Sequence, residues 1–221
     1  MINKTRLLSI LLFPFASILF AQVPVRKEPR HRPVFENKYI RLLDVVLMPS
    51  DTSQFHIHDT PSLFVNISNS KIGTQLQNQE WTKDEWPVGK AWYRSFSPDI
   101  LIHRVTNCGT LPIHINDIEI LSSYETNLTK SKPLPFPVLF ENEKSLAYQL
   151  LNQDFEKKTV KTSCPLVAEL VAGERLIFHF TKTNLIKELK VGEYLYIEPE
   201  TSFYYTSEST SAMNLIFFEI K

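Results

Sequence analysis

The chain is short of glycine and cysteine, carries no surplus of either charge, and has no long hydrophobic run. Only five of its 221 residues are Gly. Neither G-x-x-x-x-G-K-[ST] nor G-x-G-x-x-G occurs, which excludes the loops that bring backbone amides up to a nucleotide phosphate. Lys plus Arg and Asp plus Glu both total 24, a formal net charge of zero, so there is no overall field to hold nucleic acid or an anionic membrane surface. The two cysteines, Cys108 and Cys164, are not spaced as C-x-x-C and are expected to be buried or joined in one disulfide rather than catalytic. Aromatic residues, by contrast, are plentiful: 15 Phe, eight Tyr and three Trp. That is enough apolar surface for one sizeable core or two smaller ones.

Lys4 and Arg6 precede an apolar stretch from Leu7 to Phe20, and small Ala21 follows. A basic start, a short apolar run and a small residue are the pattern of a secretory signal peptide over residues 1–21. The run is shorter than the roughly 20 residues a spanning helix needs. The expectation is an exported protein, periplasmic or secreted, with no stable membrane span after cleavage; an uncleaved anchor is the alternative. Residues 22–34 (QVPVRKEPRHRPV) hold three Pro and a basic cluster, which predicts an extended N-terminal arm. His31, between Arg30 and Arg32, reads as part of that solvated arm rather than as a ligand.

Beyond the arm the texture is that of β-strands. Tyr39–Leu47, Phe55–His58, Ser62–Ser68, Ile72–Leu76, Trp92–Phe96, Leu101–Val105 and Ile113–Leu121 are short apolar or alternating runs separated by turn residues. Residues 133–139 begin Pro-Leu-Pro-Phe-Pro, which predicts a stiff connector. Further strands are expected at Leu166–Val171, Arg175–Thr181, Glu193–Ile197, Ser202–Thr206 and Met213–Ile220. Phe35-Glu36-Asn37 recurs as Phe140-Glu141-Asn142, 105 residues later, and Thr60-Pro61 has a counterpart in Cys164-Pro165 at an offset of 104. Two matches at nearly one offset predict a duplication. The expected fold class is all-β, with two related domains over residues 35–132 and 140–221.

His56-Ile57-His58 is the most informative triplet. On a strand, residues two apart share a face, so both imidazoles converge on one point. His103 sits in a later apolar strand and can supply a third ring. Neutral imidazole suits Zn, Cu, Fe and Ni. Hydrogen-bonded core histidines are the alternative.

These residues resemble the cupins, small β-barrels whose first motif carries His-x-His and whose second reads Pro-x-Gly-x-x-His-x-x-x-Asn. Here the first motif matches at His56 and His58, after the Pro49-Ser50 turn. The second matches at Pro98, His103 and Asn107. Ser50 and Ile100 stand where the family has Gly, and the positions of the family's acidic ligand hold Ser62 and Leu63. The resemblance implies tandem cupin-type (double-stranded β-helix, or jelly-roll) barrels, a bicupin. It implies one divalent metal ion (Fe, Mn, Ni, Cu or Zn) on His56, His58 and His103, with Asn107 behind His103. Three-His cupin dioxygenases act on thiols and diketones, so a dioxygenase-type oxidoreductase acting on a small molecule is the functional expectation. A metal-stabilised ligand-binding module and a structural protein are the alternatives.

In the second half, Val160 and Thr162 fall at the His-x-His places and Tyr204 at that of the later His, so that barrel is expected to be degenerate. Tyr39, Trp92, Tyr93 and Phe96 are candidates to line the pocket. Trp81–Gly89 reads as a charged loop with two Trp, a candidate lid, from which Glu80, Asp84 or Glu85 could restore the missing acidic ligand. His114 and His179 read as exposed or hydrogen-bonded. Asn66 and Asn127 fit the N-x-[ST] acceptor pattern, expected to stay bare in an exported bacterial protein.

Overall fold

The computed structural model describes residues 22–124, 133–152, 159–207 and 212–221. The segment expected to be a signal peptide, Asn127 and the expected end of the first domain at residue 132 lie outside them. Alternating side chains and frequent turns give strands almost throughout. The first half contains β1 (Val23–Pro24), β2 (His31–Glu36), β3 (Ile40–Leu47), β4 (His56–His58), β5 (Ser62–Asn66), β6 (Ser70–Leu76), β7 (Trp81–Trp86), β8 (Ala91–Arg94), β9 (Leu101–Asn107) and β10 (Ile113–Ile120). The second contains β11 (Val138–Glu141), β12 (Ser145–Leu151), β13 (Val160–Lys161), β14 (Leu166–Ala172), β15 (Arg175–Phe180), β16 (Leu185–Lys190), β17 (Tyr194–Ile197), β18 (Ser202–Thr206) and β19 (Asn214–Ile220). No helix among the described residues is long and apolar enough to cross a membrane.

Each half is a two-sheet barrel. In the first, β1-β4-β9-β6-β7 faces β2-β3-β10-β5-β8; in the second, β13-β18-β15-β16 faces β11-β12-β19-β14-β17. The strand order repeats, as the duplication predicts. So do its turns: Asn37 Oδ1 accepts the amides of Tyr39 and Ile40, and Asn142 Oδ1 accepts those of Lys144 and Ser145.

The two five-stranded sheets β2-β3-β10-β5-β8 and β11-β12-β19-β14-β17 pack back to back. Leu43, Val45 and Leu47 point into the first barrel, while Ile40 and Leu42 on the other face of β3 join Ile118, Val167, Ile216 and Phe218 in the core between the barrels. Burial on both faces explains why β14 and β19 read as nearly continuous apolar runs rather than as clean alternation. Within this layer Asn116 Nδ2 donates to Glu169 Oε2 at 2.6 Å. Burial raises the Glu169 carboxyl well above its usual range.

The segment 22–34 is not a free arm. β1 pairs in parallel with β4, a 3-10 turn follows at Val25–Lys27, and β2 pairs with β3. The chain thus steps from one sheet to the other across one side of the barrel. Residues 133–137 are likewise docked: Leu134 is buried, and the Phe136 ring stacks on Phe217 at 5.2 Å. Trp81–Trp86 is an edge strand rather than a loop: it is exposed almost throughout and pairs with β6 from Gln75 to Ser70. Cys108 is exposed and Cys164 buried, and they are not bonded to each other. Asn66 is fully buried, and its amide donates to the carbonyls of Ser68, Trp86 and Pro87, so it is no glycan acceptor.

Candidate metal centre

Period-two geometry places His56 and His58 on the inner face of β4, with Ile57 between them facing away. β9 is the antiparallel neighbour of β4, and its His103 lies directly opposite His56. The rings of His56, His58 and His103 stand 4.6–5.0 Å apart, centroid to centroid. A fourth ring joins them. His31, at the start of β2, is buried 4.4 Å from the His56 ring and 6.2 Å from that of His58. Ligand atoms of His31, His56 and His58 all lie within 4.8 Å of one another. The reading of His31 as a solvated arm residue is therefore corrected: flanking arginines point outward on a strand whose alternate position points in.

The tautomers follow from the hydrogen bonds. His56 Nδ1 donates to the carbonyl of Gln54 at 2.9 Å, and His31 Nδ1 donates to Glu28 Oε2 at 2.8 Å. In both rings Nδ1 is thus engaged behind the ring and Nε2 is the nitrogen left for a cation, and a carboxylate behind an imidazole is a common support for a metal ligand. Glu28 is the hub of this arrangement. It also accepts the amides of Arg30 at 2.7 Å and of Gln54 at 3.1 Å, so it holds His31 directly and His56 through the Gln54 peptide. Burial opposes its ionisation, but His31 and the two amide donors outweigh it and hold the carboxyl at about 2.

An acid missing from the sequence motif is supplied elsewhere. Asp117, on β10, is buried with Oδ2 3.7 Å from His58 Nδ1, and neither of its oxygens makes a hydrogen bond. Burial, with Glu119 nearby, pushes its carboxyl well above the usual range. Burial likewise pushes His56 down to about 3, helped by His31, and pushes His58 and His103 well below their usual value, helped by the other histidines and by Arg94. The rings are neutral at pH 7, the form that binds a metal. His56 Nε2, His103 Nε2 and His58 Nδ1 are buried without hydrogen-bond partners. Buried unpaired polar atoms cost roughly 1–3 kcal/mol each, and a cation would engage nitrogens and carboxylate together. The donor set, nitrogen-rich with one oxygen acid, fits a divalent transition ion.

The site opens into a cavity of about 210 Å³ lined by Phe64, Trp86, Trp92, Arg94 and Phe96 and, from the cluster, by His31, His58, His103 and Asp117. The ring of Phe96 stacks on His58 at 5.0 Å, with its backbone in the left-handed region (φ 53°). That conformation is costly for a bulky residue and is tolerated where the surroundings impose it.

Trp92 and Phe96 therefore line the cavity, whereas Tyr39 and Tyr93 do not. Alternation along β8 turns Tyr93 to the opposite face, where its hydroxyl donates to Glu143 Oε1 at 2.5 Å, and Tyr39 packs on the core between the barrels. Asn107 does not support His103. Its amide donates to the carbonyls of Leu47 and Leu111 and its oxygen accepts the Gly109 amide, all at strand-end turns. Among the acids of 80–85, Asp84 accepts Trp86 Nε1 and Glu85 pairs with Lys71, both on the exposed edge. Ser50 takes up the conformation of the glycine it replaces, with φ 68°. His114 bonds Asp44 at 2.8 Å, and His179 stacks on Tyr204 at 4.5 Å.

The second barrel shows what this fold does without the cluster. Ile40 pairs with Ile120 and Ser145 with Ile220, so the place of Asp117 is taken by Phe217. Val160, at the place of His56, pairs with Phe203 rather than with the expected Tyr204, so Phe203 stands where His103 does. Thr162 replaces His58. Extending the β11–β12 register puts Phe136 at the place of His31. Phe136, Val160, Phe203 and Phe217 belong to one apolar core.

No protein-family model matches the chain, and no curated protein sequence does. Solved structures do. AerE from Microcystis aeruginosa superposes with a TM-score of 0.58 at 12% identity, covering 88% of this chain and 98% of that one. A cupin 2 conserved barrel domain protein from Leptotrichia buccalis gives 0.54 at 8% identity, over 86% and 88%. A salicylate 1,2-dioxygenase from Pseudaminobacter salicylatoxidans gives 0.55 at 9%, over 82% and 71%. The chain has the tandem cupin fold of the bicupins.

Proposed function

We propose that this is an exported bicupin whose N-terminal barrel holds one divalent metal ion on His31, His56, His58 and His103, and which acts as a dioxygenase-type oxidoreductase on a small molecule. One observation carries the metal centre. Four imidazoles and an acid converge, several with buried unpartnered atoms, at positions where the duplicate barrel keeps only Phe, Val and Thr. Nothing in the fold requires them, so their shared cost in stability answers to a ligand. When bound, such an ion supplies Lewis acidity and, if redox-active, electron exchange with O₂.

The protein's own groups do the rest. Glu28 and the Gln54 carbonyl orient two rings, Phe96 locks a third by stacking, and Trp86 and Trp92 shield the cavity from water. Asp117 presents a carboxyl that can hold or release a proton at Oδ2. The oxidative reading draws on the fold shared with a salicylate 1,2-dioxygenase, and export draws on the pattern of residues 1–21.

The test is elemental analysis of native protein purified without a histidine tag, beside the His56→Ala/His103→Ala variant. About one equivalent of metal in the parent and almost none in the variant is expected. Oxygen consumption by the loaded protein with thiols, diketones and aromatic acids then tests catalysis; metal binding without turnover would leave a metal-stabilised binding module. Protein without metal, even after incubation with Fe, Mn, Ni, Cu and Zn, would overturn the reading.

A further inference from the structure

We infer that the cavity is built for a small apolar molecule bearing one carboxylate, bound with the carboxylate on Arg94 and the body between Trp92 and the histidine cluster. The inference rests on the reading of this cavity as the substrate site. Phe64, Trp92 and Arg94 share one face, because β5 and β8 pair Phe64 with Trp92 and Ser62 with Arg94. The Phe64 and Trp92 rings stack at 4.9 Å and 11°, and Trp86 meets Trp92 edge-on at 4.9 Å. This is a flat apolar wall. At the cavity rim stands Arg94, an exposed side chain whose guanidinium carbon lies 5.1 Å from the Phe96 ring centroid.

Arg94 forms no ion pair with any described residue, unlike Arg30, Arg32 and Arg41, each of which has a carboxylate partner. Among the described residues that line the cavity, Asp117 is the one acid, and it lies buried at the far end beside His58, away from Arg94. Arg94 thus meets no carboxylate of the cavity's own at the rim, and a bound divalent ion would add further positive charge. A planar guanidinium prefers a carboxylate in bidentate contact. The volume of about 210 Å³ lies below the roughly 300 Å³ at which ligand pockets usually begin, which suits a single ring or a short chain rather than a sugar polymer or peptide. An ion pair at the rim with an apolar wall behind it selects for both features at once, and neither inorganic phosphate nor an uncharged ring satisfies both.

Benzoate, benzamide and inorganic phosphate are the probes, read by quenching of Trp86 and Trp92 fluorescence in native protein, with metal content measured on the same samples. Benzoate is expected to bind about tenfold or more tightly than benzamide, and phosphate more weakly than benzoate. Arg94→Gln should abolish the preference for benzoate without changing metal content, and Arg94→Lys should keep part of it. Equal binding of benzoate and benzamide, undetectable benzoate binding at millimolar concentration, phosphate binding as tight as benzoate, or an unchanged preference in Arg94→Gln would each overturn the inference. If the parent holds no metal yet the Arg94-dependent preference persists, the metal reading fails and this one stands.

Discussion

Replacing Glu28 with glutamine removes one charge and keeps the side chain's shape, so the cost is set by the four donors that Glu28 serves. The Glu28 side chain is fully buried; Oε2 accepts from His31 Nδ1 at 2.8 Å and the Arg30 amide at 2.7 Å, and Oε1 from the Gln54 amide at 3.1 Å and Arg30 Nη1 at 3.4 Å. A carboxamide has one accepting oxygen. Its NH₂ must face either the His31 and Arg30 amide donors or the Gln54 amide and Arg30 guanidinium, and one of those pairs of contacts breaks. A carboxyl held at about 2 against an ordinary 4.5 is stabilised as the anion by about 3 kcal/mol, which sets the scale of the loss in folding stability at pH 7. For the metal, losing the group that orients a ligand costs roughly 10–100-fold in affinity. The assay is competition against a chromophoric chelator at pH 7, with urea unfolding of the metal-free protein alongside. Because the folded value is depressed, the Glu28 contribution is complete above pH 4.5 and disappears as pH falls through about 2. The stability gap between parent and Glu28→Gln should therefore close over that window. A metal Kd in the variant within threefold of the parent would refute the role of Glu28 and with it the place of His31 among the ligands.

Metal-free protein should lose stability as pH falls from 6.5 towards 3, because His56, lowered to about 3 in the fold, resists a proton that the unfolded chain takes up; melting temperature against pH reads this, and a flat profile would contradict it. Phe217→Asp, which places the acid of the first barrel in the apolar core of the second, should destabilise by more than about 3 kcal/mol in urea. Burial between the barrels disfavours the charged form of Glu169, so Glu169→Gln, which keeps an acceptor for Asn116, should change stability by less than about 1 kcal/mol and Glu169→Leu by more, since Asn116 then loses its acceptor.

The sequence carried the strand texture, the duplication and the His-x-His pair, because each depends on spacing within a few residues. Period two places His56 and His58 together however the sheets close, and Asn37 and Asn142 make the same turn wherever their barrels sit. Alternation also held the answer for Trp92 and Tyr93, which cannot both face the cavity; Trp92 does, because the neighbouring sheet covers the other side.

What the tertiary structure alone decided is which distant residues join the pair. His31 lies 25 positions before His56, in a stretch whose proline and arginine content reads as solvated. Only the step from β1 in one sheet to β2 in the other brings its ring inside. Asp117 sits among other polar residues, beside Asn116 and two before Glu119, with nothing local to single it out, and the pairing of β10 with β3 and β5 aims it at His58. The acid that the motif lacks in sequence is thus restored in space, from the opposite sheet. Local periodicity sets which face of a strand a side chain occupies, but only nonlocal pairing sets what that face meets.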